Sequence, residues 1–129
     1  MSEKTIIVGG CFGYLGNALC QRLLLKGYKV IGIDNGLRKK MVRSQESYSA
    51  TRQPSMEEHE KLFFDLGDFH FYNFDISMDY NNIKKLIQKF NPSTIVNLAH
   101  QPSGPYSQIN NTTSTLSLMN NILGTNNIL

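Results

Sequence analysis

With 129 residues, 40% of them apolar, the chain can bury one core of ordinary size and not two, so it reads as a single domain or part of one. Thirteen Lys and Arg against ten Asp and Glu leave a formal charge of +3, too small to argue for a nucleic-acid partner but compatible with small anionic ligands. Its apolar runs fall far short of the roughly 20 residues of a membrane span, and Met1 reaches an apolar strand too soon for a signal peptide, so no membrane partner and a cytoplasmic location are expected.

Thr5-Ile6-Ile7-Val8 is a continuous apolar run ending in Gly9-Gly10, the pattern of a strand buried on both faces. Cys11 lies in the next turn and Cys20 in the helix after it; two closely spaced cysteines make no disulfide framework and read as small buried apolar residues. Leu15, Ala18, Leu19 and Leu23 recur at helical spacing until Gly27 stops the pattern. Lys29 to Asp34 reads as a second strand. Residues 38 to 66 then form a long polar insertion, basic at first, whose second part from Ser55 to Phe64 carries a helical pattern. Phe69 to Phe74 reads as a third strand, rich in aromatics. Ile83, Leu86, Ile87 and Phe90, followed by Asn91-Pro92, predict a helix over Asp79 to Phe90. Thr94 to Ala99 makes a fourth strand, and Leu116, Met119, Ile122 and Leu123 mark a last helix. Strands alternating with helices predict an α/β fold, a Rossmann-type doubly wound parallel sheet in the order 3-2-1-4 with helices on both faces, because parallel neighbours need right-handed helical crossovers.

Gly10, Gly13 and Gly16 form a G-x-x-G-x-x-G pattern between the first strand and the first helix. The first glycine permits the turn, the second lets backbone approach a phosphate, and the third allows close helix–strand packing. Free N–H groups at the helix start, with the positive end of its dipole, then bind a pyrophosphate. Three glycines alone are weak evidence. Following a strand, opening a helix and preceding Asp34 at the end of the second strand, they make a dinucleotide fingerprint. Asp34 is the expected acceptor for adenosine ribose hydroxyls and argues for NAD, because a carboxylate there repels the 2′-phosphate of NADP. Arg38, Lys39, Lys40 and Arg43 soften that preference, either as a solvated charged run or as a phosphate clamp. Asp75-Ile76 is set either to accept from the adenine amino group or to start a helix.

The stretch VGGCFGYLG from Val8 to Gly16, Asp34, Asp75-Ile76 and the run NILGTNNIL from Asn121 to Leu129 together resemble the extended short-chain dehydrogenase/reductases, the NAD-dependent nucleotide-sugar epimerases and dehydratases. The resemblance covers nearly the whole chain. It implies an NAD held by Gly10, Phe12, Gly13, Tyr14, Leu15 and Gly16 at the turn and by Asp34, Asn35 and Arg38 after the second strand. Asp75 and Ile76 would lie along the adenine edge, Leu98, Ala99 and Gln101 on the nicotinamide side, and Asn121 would join them from the last helix. Within the family, Asp34-Asn35-Gly-Leu-Arg38-Lys39, the long insertion and Gln101-Pro-Ser-Gly-Pro105-Tyr106-Ser107 are similar to the branch that forms UDP-sulfoquinovose from UDP-glucose and sulfite. That similarity implies a UDP-sugar substrate facing Ser103, Tyr106 and Ser107. The plainer reading of the loop is a proline-fixed connection with capping residues.

The family's proton-transfer groups are a Ser or Thr and a Tyr-x-x-x-Lys pair whose lysine lowers the tyrosine pKa. No such pair occurs here: Tyr106 has no lysine four residues on, so no catalytic residue is assigned. His70 and His100 read as strand and loop residues, and no metal site is expected. Residues 1 to 129 are therefore expected to be the N-terminal part of an NAD-binding Rossmann domain with an incomplete sheet, the catalytic half and substrate domain absent. A UDP-glucose 4-epimerase-like or 4,6-dehydratase-like enzyme portion is one alternative, and a non-catalytic dinucleotide-binding module or truncated remnant is the other. The unpaired edge of the fourth strand, and the helix pairing common in the family, make a homodimer possible.

Overall fold

A computed structural model describes residues 4–129; Met1 to Glu3, part of the short lead into the first strand, lie outside the described residues. Four strands, β1 (Thr5–Gly9), β2 (Lys29–Asp34), β3 (Phe69–Asn73) and β4 (Thr94–Asn97), form one sheet in the order β3-β2-β1-β4, with every pairing parallel. This is the predicted topology.

Alternation along the central strands divides the core into two layers. Ile6, Val8 and Val30 point to one face, where they meet Cys20, Leu24, Phe63 and Phe69. Ile7, Ile31 and Ile33 point to the other, where they meet Ile76, Ile83 and Leu86. The first face is covered by α1 (Tyr14–Leu25) and α3 (Met56–Leu66). The second is covered by α4 (Tyr80–Phe90) and by a terminal helix running through α6 (Asn111–Leu118), a π-helical turn (Met119–Leu123) and α7 (Gly124–Ile128), whose Ile128 packs on that core. A doubly wound sheet follows from strands that are apolar on both faces.

Helix ends obey local chemistry. Ser55 and Glu58 make a reciprocal capping box at the start of α3. Asp79 caps α4 by accepting from Asn82 N–H at 3.2 Å, and Asn91 closes it in the left-handed region before Pro92.

Three expectations are corrected in detail. The buried line of α1 is Gly16, Cys20 and Leu24, with Leu19 and Leu23 half-buried, whereas Leu15 and Ala18 are exposed. The close approach of Gly16 to the preceding turn sets that rotation. The basic start of the insertion, for which no element is expected, is a helix, α2 (Leu37–Ser44), anchored by the buried Met41. On the last helix, Leu116, Met119, Ile122 and Leu123 are all exposed, and the buried positions are Ser117 and Gly124. Asparagine side chains facing β4, described below, hold that helix by its polar side.

Candidate functional site

The turn after β1 hangs on the end of β2. Gly10 N–H and Cys11 N–H both donate to Ile33 O, at 2.7 and 3.3 Å, and Phe12 N–H donates to Asp34 Oδ2 at 3.0 Å. Gly10 takes φ +74°, and a Cβ there would come within 2.9 Å of Leu98 and Ala99 backbone, so the turn also abuts the end of β4. A Cβ on Gly16 would overlap Gly10 O. Gly13 differs: its φ is −71°, and a Cβ would meet only Gly10 O at 3.3 Å. Nothing in the protein demands glycine at Gly13 as strictly as at its two neighbours in the motif. The demand is for open space in front of it.

Asp34 serves the turn on both sides, since its Oδ1 accepts from Gly36 N–H at 2.9 Å, where the chain takes φ +67° before α2. A carboxylate has about four lone-pair sites, so two remain for a ligand. Among the described residues no side chain caps the N-terminus of α1 and no acidic residue stands in its first turn. Its leading amides are left to an anion.

These elements enclose a cavity of about 680 Å³ at the carboxyl ends of the strands, within the size range of ordinary cofactor and ligand sites. Gly10, Gly13, Tyr14, Leu15 and Gly16 line it from the turn and α1, Asp34, Asn35 and Arg38 from the end of β2 and the start of α2, and Asp75 and Ile76 from beyond β3. Leu98, Ala99, Gln101, Ser103 and Tyr106 line it from beyond β4. The four chain segments singled out in the sequence thus meet in one place. Phe12, Asn121 and Ser107 do not line it. Phe12 turns its ring into the core against Phe63, Phe69 and Phe71 and contributes its N–H to Asp34. Ser107 donates to Gly104 O at 2.8 Å within α5 (Gly104–Ser107).

Asn121 acts through the loop. Its Oδ1 accepts from Gln101 N–H at 2.7 Å and its Nδ2 donates to Gln101 O at 3.0 Å, while the neighbouring Asn120 Nδ2 donates to Ala99 O at 2.8 Å. Gln101 Nε2 donates to the hydroxyl of buried Ser117 at 2.8 Å and to Ser103 O at 3.1 Å. Every polar atom of Gln101 is therefore bonded inside the protein, and its side chain builds the loop as much as it borders the cavity. Both asparagines belong to the π-helical turn, whose extra residue brings two consecutive side chains toward β4. Asn121→Ala is expected to expose the loop after β4, lowering amide-exchange protection at Gln101 and Ser103 and costing about 1–3 kcal/mol, because a half-buried N–H and C=O lose their partners together.

Asp75 is held locally. Its Oδ1 accepts from Ser77 N–H at 2.8 Å and from Ser77 Oγ at 2.6 Å, which shapes the turn before α4; the helix itself is capped by Asp79. Cavity residues with no signal in the sequence include Met41, Val42 and Gln45 from α2 and its end, Phe74, and Asn120. The α2 residues could have been found only by recognising a helix in the basic run. His100, which also borders the cavity, lies within hydrogen-bond distance of Thr125 Oγ1, at 3.1 Å. Cys11 and Cys20 are free and buried. Burial above all, and then the Asp34 carboxylate, pushes the Cys20 thiol up to about 12 and Cys11 well above the usual range, so neither is a nucleophile. Among the described residues no cluster of His, Cys, Asp or Glu is arranged to hold a metal, and no helix is long and apolar enough to cross a membrane.

Comparison with known proteins decides the family. The family model for GDP-mannose 4,6 dehydratase matches residues 7–129. The chain belongs to the GDP-mannose 4,6-dehydratase family. It is thereby an extended short-chain dehydrogenase/reductase, as the motifs imply. This dehydratase-family chain is 36% identical over 122 residues to UDP-sulfoquinovose synthase of Sulfolobus acidocaldarius, covering 93% of its own length and 31% of that relative. It is 28% identical over 131 residues to the chloroplastic UDP-sulfoquinovose synthase of Spinacia oleracea, with 98% of the chain and 27% of the relative covered. The chain thus spans less than a third of these relatives' length. Among solved structures, UDP-glucose-4-epimerase from Stenotrophomonas maltophila, with bound NAD and formylated UDP-arabinopyranose, superposes with a TM-score of 0.72 at 19% identity, over 98% of this chain and 32% of that one. UDP-glucose 4-epimerase of Thermotoga maritima, with UDP-glucose, gives 0.67 at 22% identity, over 96% and 32%. These superpositions establish the fold of the dehydratase-family chain.

Proposed function

We propose that the chain is the NAD-binding, N-terminal part of a nucleotide-sugar enzyme of the UDP-sulfoquinovose synthase type, with NAD in the cavity at the carboxyl ends of the strands. The observation that carries this reading is the convergence of the glycine turn, Asp34, Asp75-Ile76 and the Leu98 to Tyr106 segment on that cavity. Its position agrees with a general rule for open α/β sheets: ligands bind where the strand order reverses, here between β1 and β4.

The residues present fit the cofactor. The uncapped start of α1 and the space in front of Gly13 take the pyrophosphate, and the free lone pairs of Asp34 take ribose hydroxyls, with Asn35 and Arg38 beside them. Asp75 and Ile76 border the adenine, and Leu98, Ala99 and Gln101 the nicotinamide. Phe12 and Asn121 act one step removed, through Asp34 and through the Gln101 backbone. A UDP-sugar, UDP-glucose in the reading drawn from the sequence resemblance, would meet Ser103 and Tyr106, with Ser107 fixing the short helix behind them. When bound, NAD supplies hydride transfer. The chain's own residues bind and orient it, and the proton-transfer groups are assigned to sequence outside these 129 residues, where sulfite would also enter. A reading frame that continues past Leu129 into a Tyr-x-x-x-Lys segment is the expected context.

Titration calorimetry of NAD, NADP and UDP-glucose against the folded chain tests this. NAD is expected to bind, and NADP more weakly, because its 2′-phosphate meets the Asp34 carboxylate. A folded chain that binds no dinucleotide would refute the assignment. The family model itself supports a second reading, a 4,6-dehydratase portion, which shares the NAD site and differs only in the chemistry assigned to the rest of the enzyme.

A further inference from the structure

Apart from its first residues, the insertion between β2 and β3 makes none of the proposed dinucleotide contacts, yet one of its side chains reaches the glycine turn. His59, near the start of α3, is 3% exposed. Its ring lies nearly flat on that of Phe12, with centroids 5.2 Å apart and planes 15° from parallel, and it leans on Phe63 at 6.1 Å. Phe12 sits between two glycines of the turn and gives its N–H to Asp34. On the other arm, Asn17 Nδ2 lies 3.3 Å from His59 Nδ1, and Asn17 N–H closes the first turn of α1 on Gly13 O at 2.8 Å. His59 thus touches both ends of the segment that would face the pyrophosphate.

We propose that His59 is a positioning residue for the dinucleotide turn, holding Phe12 and Asn17 in register only as the neutral imidazole, so that the insertion makes the turn responsive to acid. The inference rests on the dinucleotide reading above. Asn17 Oδ1 accepts from the Gln21 side-chain amide, which leaves Nδ2 as the donor and requires a lone pair on His59 Nδ1. Protonation sets N–H against N–H and puts a charge into a slot walled by Phe12 and Phe63, where burial disfavours it.

The charged groups facing the ring are Lys39 from α2, Asp34 from the end of β2 and Glu58 from α3 itself, while α1 presents the neutral Asn17. Burial and Lys39 disfavour the imidazolium, Asp34 and Glu58 favour it, and the net direction is down from the ordinary value of 6.5. As pH falls, the unfolded or undocked histidine takes up a proton before the docked one. Docking is therefore at full strength above the ordinary value and weakens below it.

The test compares wild type with His59→Phe, which keeps a flat ring against Phe12 but has no nitrogen to titrate. NAD affinity of wild type is expected to fall roughly three- to tenfold from about pH 7.5 to about pH 5.5, the fold-change that loss of one ordinary hydrogen bond produces. The variant is expected to show a much smaller fall. His100, which borders the cavity, is present in both proteins and cancels in the comparison. Amide exchange in the ligand-free chain reads the turn directly: after correction for intrinsic pH dependence, the Phe12 and Asn17 N–H groups should lose protection in acid in wild type only. Equal exchange profiles in the two proteins overturn the proposal, whether or not NAD binds. Absence of NAD binding at about pH 7.5, with the acid-dependent exchange intact, overturns the dinucleotide reading and leaves the positioning of the turn by His59 standing.

Discussion

Gly16→Ala is expected to lower the melting temperature of the chain by roughly 10–20 °C, or to prevent folding altogether. The added methyl would have to occupy the position of Gly10 O, a backbone atom fixed by its neighbours rather than the movable end of a side chain. Gly10 is in turn pinned between Ile33 O, which accepts its N–H, and the Leu98–Ala99 backbone. Relief therefore requires α1 to lift off the sheet, which separates Cys20 and Leu24 from Val8 and Val30. Overpacking that cannot relax costs about 3–5 kcal/mol, a large part of the 5–15 kcal/mol typical of a whole domain. Urea denaturation followed by circular dichroism measures this. A midpoint within error of wild type would mean that the packing of α1 on the turn is looser than described.

Gly13→Asp is expected to do the opposite: to leave the fold intact and remove dinucleotide binding. The backbone of Gly13 lies in a region open to any residue, and only Gly10 O stands near the new Cβ, at 3.3 Å. A carboxylate at the first turn of a helix is even favourable to the empty protein. It would stand where the pyrophosphate must come, and two like charges about 4 Å apart near a protein surface repel by about 4 kcal/mol, close to a thousandfold in affinity. Calorimetry with NAD alongside a melting curve reads both halves. Undiminished NAD binding would refute the assigned turn, and collapse of the fold would refute the claim that Gly13 is there for a ligand. The two glycines, three residues apart, thereby separate packing from recognition.

That distinction was only partly legible in the chain. The motif assigned roles to Gly10, Gly13 and Gly16, and the structure supplies the reason for two of them, a positive φ at Gly10 and a backbone contact at Gly16. Strand order, too, followed from the alternation of apolar strands and helices, because parallel pairing leaves few other connections. The helix faces were harder. On α1 the demand of Gly16 for contact overrode the hydrophobic count and turned Leu15 outward toward the cavity mouth. On the last helix, Leu116, Met119 and Ile122 mark an apolar stripe that periodicity assigns to the core, yet Asn120, Asn121 and Ser117 face inward because loop backbone there needs partners. A π-helical turn leaves no mark in a 3.6-residue period.

What the amino-acid sequence determined by itself is therefore the local and repetitive part of this protein: the parallel sheet, the glycine turn between the first strand and the first helix, and a helix in the second part of the insertion. Each depends on residues close in the chain or on a pattern that repeats. Tertiary structure alone decided which helix faces are buried, that Asn121 clamps Gln101 across twenty residues, and that His59 of the insertion rests on Phe12. Those contacts join distant segments through single side chains, whose partners are chosen by packing geometry and by the requirement that buried polar groups be satisfied, and no local pattern encodes that choice.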